Sequence, residues 1–135
     1  MTILLDTNIV LDILLSRSAF LDDSLDVLEK AIKTGDRMYL SSTAVTDVYY
    51  IIHKETSSKE MAIEGICRLA SIVNFAEVNE ECILNALRSK LVDFEDAVVE
   101  STAKHIGADY IITRNINDFK KAKVKALSPK QYLSV

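Results

Sequence analysis

Apolar runs too brief for helices alternate along this chain with longer stretches whose apolar residues recur at helical spacing. That alternation constrains the chain to an α/β domain with a mainly parallel sheet. The first run, Thr2–Leu5, stops at Asp6 and reads as a buried strand passing into a loop. Met38-Tyr39-Leu40, Phe75-Ala76-Glu77-Val78, Tyr110-Ile111-Ile112 and, more weakly, Val124–Leu127 are the later strand candidates.

The spacing predicts helices between them. Ile9, Val10, Ile13 and Leu14 mark one, and Leu21, Leu25, Leu28, Ala31 and Ile32 mark a second that stops near Gly35. Ser41 or Ser42 is placed to cap a third, whose apolar positions include Ala44, Val45, Val48, Ile51 and Ile52. The chain turns at Ser57-Ser58, and a fourth helix carries Met61, Ile66, Leu69, Ala70 and Val73. Asn79 caps a helix with Cys82, Ile83, Ala86 and Leu87, and Asp93 caps another that runs toward Gly107. Ser128-Pro129 opens a final helical turn, with proline where its missing N–H costs little.

With 135 residues, residues 1–135 are expected to form one domain with a real core. At 49% hydrophobic and with one proline, the chain is unsuited to disorder. No apolar run approaches the roughly 18–20 residues of a membrane span. Asp6 also interrupts the start too early for a secretory leader, so a cytoplasmic setting without membrane contact is expected. Cys67 and Cys82 have no metal-type spacing and read as ordinary helix residues.

The net charge of −4 argues at first against a polyanionic partner. The charge is uneven, however: residues 1–100 carry 18 acids and 9 bases, whereas residues 101–135 carry 7 bases and 2 acids. A basic segment on an acidic protein can bind phosphate, or can simply be a solvated lysine-rich loop.

The acids have competing readings. Asp6 at the strand end suits either a ligand site or a helix cap. Asp47 falls on or beside the apolar stripe of its helix, where an ionised carboxylate needs a partner. Asp93 and Asp96 resemble a capping arrangement, and Glu95 reads as solvated. Asn115 and Asp118 follow a strand, where both residue types form turns. Asp12 and Asp22-Asp23 read as exposed or capping.

Taken together, these acids lie at strand ends and helix starts that an α/β sheet can bring to one edge. Two carboxylates about 4 Å apart repel by roughly 4 kcal/mol at an effective dielectric near 20, so a cluster calls for a proton or a cation. Oxygen donors without clustered His or Cys suit Mg2+ or Mn2+, and such ions promote phosphodiester hydrolysis.

The motifs Leu4-Leu5-Asp6-Thr7-Asn8-Ile9-Val10-Leu11-Asp12, Asp93-Phe94-Glu95-Asp96-Ala97 and Ile111-Ile112-Thr113-Arg114-Asn115 with Asp118-Phe119 resemble those of the PIN-domain ribonucleases. The resemblance is nearest to the small bacterial toxins of toxin–antitoxin pairs. Ser42–Ile52 holds the family's second acidic position, and Leu127-Ser128-Pro129 with Tyr132-Leu133 fits its ending. The resemblance implies a three-layer α/β/α sandwich and metal-dependent hydrolysis of RNA by an activated water. It makes Asp6 and Asp96 the core metal ligands and Asp47 the third acid, where the family usually has glutamate. Asn115 stands where many members have aspartate, so it contributes no charge, and Asp118 is placed to compensate. Thr7, Asn8 and Thr113 become supporting groups. Arg114, Lys120 and Lys121 become candidates for phosphate contact. Homodimers and an antitoxin partner are also implied.

A haloacid-dehalogenase-like phosphatase also places Asp after its first strand, but it wants an acid where this chain has Asn8. The stronger alternative is a catalytically weak or silent PIN-like module that binds RNA or protein. A purely structural α/β domain would leave Asp47 without a partner.

Overall fold

The computed structural model describes residues 1–135. Five strands form the sheet: β1 (Thr2–Leu5), β2 (Arg37–Ser41), β3 (Asn74–Ala76), β4 (Tyr110–Ile112) and β5 (Ala126–Leu127). Seven helices accompany them: α1 (Thr7–Leu14), α2 (Leu21–Thr34), α3 (Ser42–Thr56), α4 (Lys59–Ala70), α5 (Glu80–Ala86), α6 (Phe94–His105) and α7 (Pro129–Leu133). A single 3-10 turn, Ile116–Phe119, follows β4.

All four strand pairings are parallel, in the order β3-β2-β1-β4-β5. The mainly parallel sheet inferred from the alternation is therefore wholly parallel. The chain builds outward from β1 to β3 on one side, then returns to place β4 and β5 on the other. The order reverses between β1 and β4, and a crevice opens beyond the carboxyl ends of strands at such a point. Asp6 follows β1 there, and Thr113 follows β4.

Side chains alternate across the sheet. Ile3 and Leu5 join Leu40, Val48, Tyr132 and residues of α1, α2 and α4 in the larger core cluster. Leu4 and Ile111 point the other way, onto Val99 and Ala103 of α6 and onto Phe119. Helix α5 closes over α6 through Ala86, Ala97 and Val98. These are three layers, helices on both faces of one sheet, and the uniformly buried β1 is what such a sheet requires.

Most helix boundaries follow local chemistry. Asp6, Ser41, Ser58, Asn79, Asp93 and Ser128 each cap a helix through a side-chain oxygen. Helix α2 ends at Gly35, whose φ of 78° is the left-handed conformation that glycine adopts without strain. Differences from expectation occur at ends. Helix α4 stops at Ala70 rather than continuing to Val73, β3 starts at Asn74 and stops before Glu77, and β5 keeps only two residues. The C-terminal end of α4 closes in turns, where the N–H groups of Ile72 and Val73 donate to Leu69 O.

Tyr132 anchors the last helix. Its ring is fully buried, its hydroxyl donates to Asp36 Oδ2 at 2.6 Å, and Lys30 Nζ sits 4.6 Å from the ring centroid. Tyr132→Ala is expected to cost about 3–5 kcal/mol through the cavity it leaves. Tyr132→Phe should cost about 0.5–1.5 kcal/mol through the lost hydrogen bond. Urea denaturation of the two variants checks both the size and the order.

Candidate active site

The residues at the switch point converge on a cleft of about 470 Å³ lined by Asp6, Asp47, Glu95, Asp96, Asn115 and Asn8, with Thr7, Arg17 and Tyr50 beside them. Leu11, Ile51 and Val99 supply its apolar wall. Asp96 also lines an adjoining cleft of about 450 Å³, which holds Asp118, Lys90, Lys120 and Lys121.

Asp6 is both a helix cap and a cleft residue. Its Oδ1 accepts the Thr7 backbone N–H at 2.8 Å. Its Oδ2 accepts the Thr113 hydroxyl at 2.7 Å and Asn8 Nδ2 at 3.2 Å. Thr113 Oγ1 in turn accepts the Asn115 N–H at 3.0 Å. Thr7, Asn8 and Thr113 thus support one carboxylate, and Thr113, fully buried, links the end of β4 to the end of β1. Burial raises the Asp6 pKa, and these hydrogen bonds only partly offset it.

The other acids feel each other. Asp96 is pushed up to about 7, by burial first and then by the charges of Asp6, Asp93 and Asp118. Glu95 is pushed up to about 7 chiefly by a hydrogen bond with Asp47, with burial and the Asp47 charge adding to it. Glu95 therefore holds its proton well above the ordinary carboxyl range while it lies beside Asp47. Glu95 is accordingly not the bystander its sequence position suggests: although exposed, it lines the cleft against Asp47. Its neighbour Asp96 gave the only local hint, because the face of a helix is ambiguous in its first turn.

The donor set suits a hard divalent cation: carboxylate oxygens dominate, and no His or Cys lines the cleft. No three of these acids are close enough to enclose an ion as they stand. Mg2+ needs only one or two carboxylates because it retains several waters, and the raised carboxyl pKa values mark a site short of positive charge. The residues fit such a cation on chemistry and charge.

Two expectations need correction. Asp12 is neither exposed nor capping. It is fully buried, and it accepts from Arg114 Nε at 2.7 Å and Nη2 at 3.2 Å. The spacing from Ile9, three residues earlier on the same helix face and itself buried, could have revealed the burial. Arg114 is consequently committed to Asp12, and its guanidinium carbon lies 3.8 Å from the Phe20 ring centroid. It is held as a structural counter-charge instead of a phosphate contact.

The sequence pattern of the PIN domain matches residues 2–117. A search of curated proteins finds no match. Among solved structures, VapBC2 from Rickettsia felis bound to a promoter DNA fragment superposes with a TM-score of 0.77 at 18% identity, over 95% of this chain and 98% of that one. A Klebsiella pneumoniae toxin–antitoxin complex gives 0.65 at 20% identity, over 93% and 96%. The sarcin-ricin-loop-cleaving toxin VapC20 from Mycobacterium tuberculosis gives 0.67 at 13% identity, over 91% and 98%. At these identities the likeness is one of fold.

Two outcomes are expected. Carboxyls whose folded pKa is raised hold protons that the unfolded chain releases, so stability falls as pH rises from the ordinary carboxyl range to about 7. The metal-free protein should therefore melt lower at about pH 8 than at about pH 5.5, and Asp96→Asn should flatten that slope. Separately, Arg114→Ala strands the buried Asp12 charge and should cost about 3–5 kcal/mol, read by chemical denaturation.

Proposed function

The chain belongs to the PIN-domain family, and from that premise we propose that it is a Mg2+- or Mn2+-dependent endoribonuclease, the toxin of a toxin–antitoxin pair. The observation that carries the reading is the convergence of Asp6, Asp47, Glu95 and Asp96 on one cleft, with Glu95 and Asp96 each raised to about 7 by burial and by neighbouring carboxylates.

In this reading Asp6 and Asp96 hold the cation. Asp47 is the third acid, and Asn115 and Asp118 complete the surroundings. Bound there, Mg2+ or Mn2+ supplies the charge that balances the phosphodiester and activates water for its hydrolysis. The chain's own work is positional. Thr113, Asn8 and the Thr7 N–H fix the Asp6 carboxylate, and Glu95 places a further carboxyl beside Asp47. Lys120 and Lys121, with Lys90, border the adjoining cleft and can take backbone phosphates.

An antitoxin partner, a homodimeric assembly and a cytoplasmic setting belong to the same reading. Support for the first comes from the solved structures of similar fold, which include toxin–antitoxin assemblies. No helix is long and apolar enough to cross a membrane.

A catalytically silent module is the alternative, favoured by the shorter Asp47 and the uncharged Asn115. Glu95 weighs against it, because it adds a carboxylate beside Asp47 where the set is weakest. Purified protein is expected to cleave a mixed RNA pool only with Mg2+ or Mn2+, and Asp6→Asn or Asp96→Asn should each abolish cleavage. Cleavage that survives both substitutions, or survives chelation, would overturn the metal-nuclease reading. Metal-independent RNA binding without cleavage would favour the silent module.

A further inference from the structure

The acidic cleft has one cation among its lining residues, Arg17, and one exposed aromatic ring, Tyr50. Neither is used by the acid cluster. Tyr50 lies one helical turn beyond Asp47 on α3, so the two share a face, and 67% of its surface is open to solvent. Its ring meets Tyr49 edge-on, with centroids 5.1 Å apart, and Tyr49 is stacked parallel to His53. This row of rings restrains Tyr50 while leaving its surface largely free.

Arg17 is loosely held. Its Nη1 is 3.6 Å from Asp12 Oδ1, and its Nη2 is 3.4 Å from Glu55 Oε1. Asp12 is already bound by Arg114 at 2.7 Å, and Glu55 is half-exposed. Its hydrogen bond to Glu55 and its pair with Asp12 are both long, so a phosphate can compete for the guanidinium's fork. A loosely paired guanidinium and an exposed ring at the rim of one cleft match the two parts of a nucleotide. The lysines of the adjoining cleft offer only charge.

We propose that Tyr50 and Arg17 form a nucleotide subsite at the rim of the acidic cleft, where an unpaired base stacks on the Tyr50 ring and its phosphate is taken by Arg17. This assignment rests on the nuclease reading for its ligand class. Stacking requires an unpaired base, because the faces of a paired base are covered by its neighbours in the helix. The subsite thus selects the nucleotide next to the cut and leaves duplex RNA outside.

The test uses the full chain carrying Asp96→Asn, with a short fluorescein-labelled single-stranded RNA followed by anisotropy in Mg2+. Adding Tyr50→Ala should weaken binding by about 5- to 150-fold, whereas Tyr50→Phe should stay near the parent. A 2-aminopurine in the strand should change its emission on binding and lose that change with Tyr50→Ala. Adding Arg17→Ala should lower the slope of log affinity against log salt by about 0.7, while melting curves check that the fold is kept.

Unchanged affinity in Tyr50→Ala, or an equal loss in Tyr50→Phe, would overturn the stacking assignment. An unchanged salt slope in Arg17→Ala would overturn the phosphate contact. The nuclease reading is separately exposed. If the otherwise unsubstituted protein cleaves RNA with Mn2+ and neither Tyr50→Ala nor Arg17→Ala raises KM, the subsite fails alone. If the strand binds through these two residues but no metal-dependent cleavage occurs, the nuclease reading fails and the subsite stands.

Discussion

Asp6 retains only 8% of its exposure, yet it is held by a backbone N–H, a hydroxyl and a side-chain amide, with no cation in contact. Those three donors favour the charged form, while burial and the charge of Asp118 oppose it, and the balance leaves its pKa raised. The same carboxylate starts α1, and through Thr113 it joins the ends of β1 and β4. Fold and site therefore depend on one group. The crevice at the switch point could be lined with apolar residues and still close the sheet. With Asp6 fixed at its base and Asp96 facing it from α6, the cleft becomes a place where negative charge accumulates and positive charge is wanted.

Much of this arrangement is legible in the sequence because its causes are local. The strand Thr2–Leu5, the caps at Ser41, Asn79 and Asp93, and the proline that opens α7 all follow from neighbours within a few residues. The parallel sheet follows from the alternation of short and long apolar patterns, and a parallel sheet gathers the residues after its strands at one edge. That is why Asp6, Asp47, Asp96 and Asn115 line one cleft in the structure.

The rest depends on partners far away in the chain. Arg114 is a candidate phosphate contact only through the family resemblance. Its partner Asp12 lies 102 residues earlier, and no local pattern couples them. Glu95 and Asp47 belong to different helices, and they meet only because α3 and α6 approach the same edge. The lysine-rich segment shows the same limit. Lys120 and Lys121 border the cleft beside Asp96, whereas Lys104 and Lys123 line a separate pocket around the buried Glu100. A charge surplus in sequence is thus divided between surfaces in space.

The contrast between Asp6 and Asp12 bears most directly on function. Both are buried acids of one helix, Asp6 as the cap of α1 and Asp12 in its last turn, and the fold treats them in opposite ways. Asp12 receives two guanidiniums, from Arg114 and Arg17, with Ser24 Oγ 3.4 Å from its Oδ2. Asp6 receives only neutral donors, and Arg114 reaches it merely through its field. A buried carboxylate that breaks from its counter-charge is costly, so natural cores supply one. This fold supplies it at Asp12 and withholds it at Asp6, where Asp96 adds further negative charge instead. The cleft side of Asp6 is therefore where a positive charge would be most favourable.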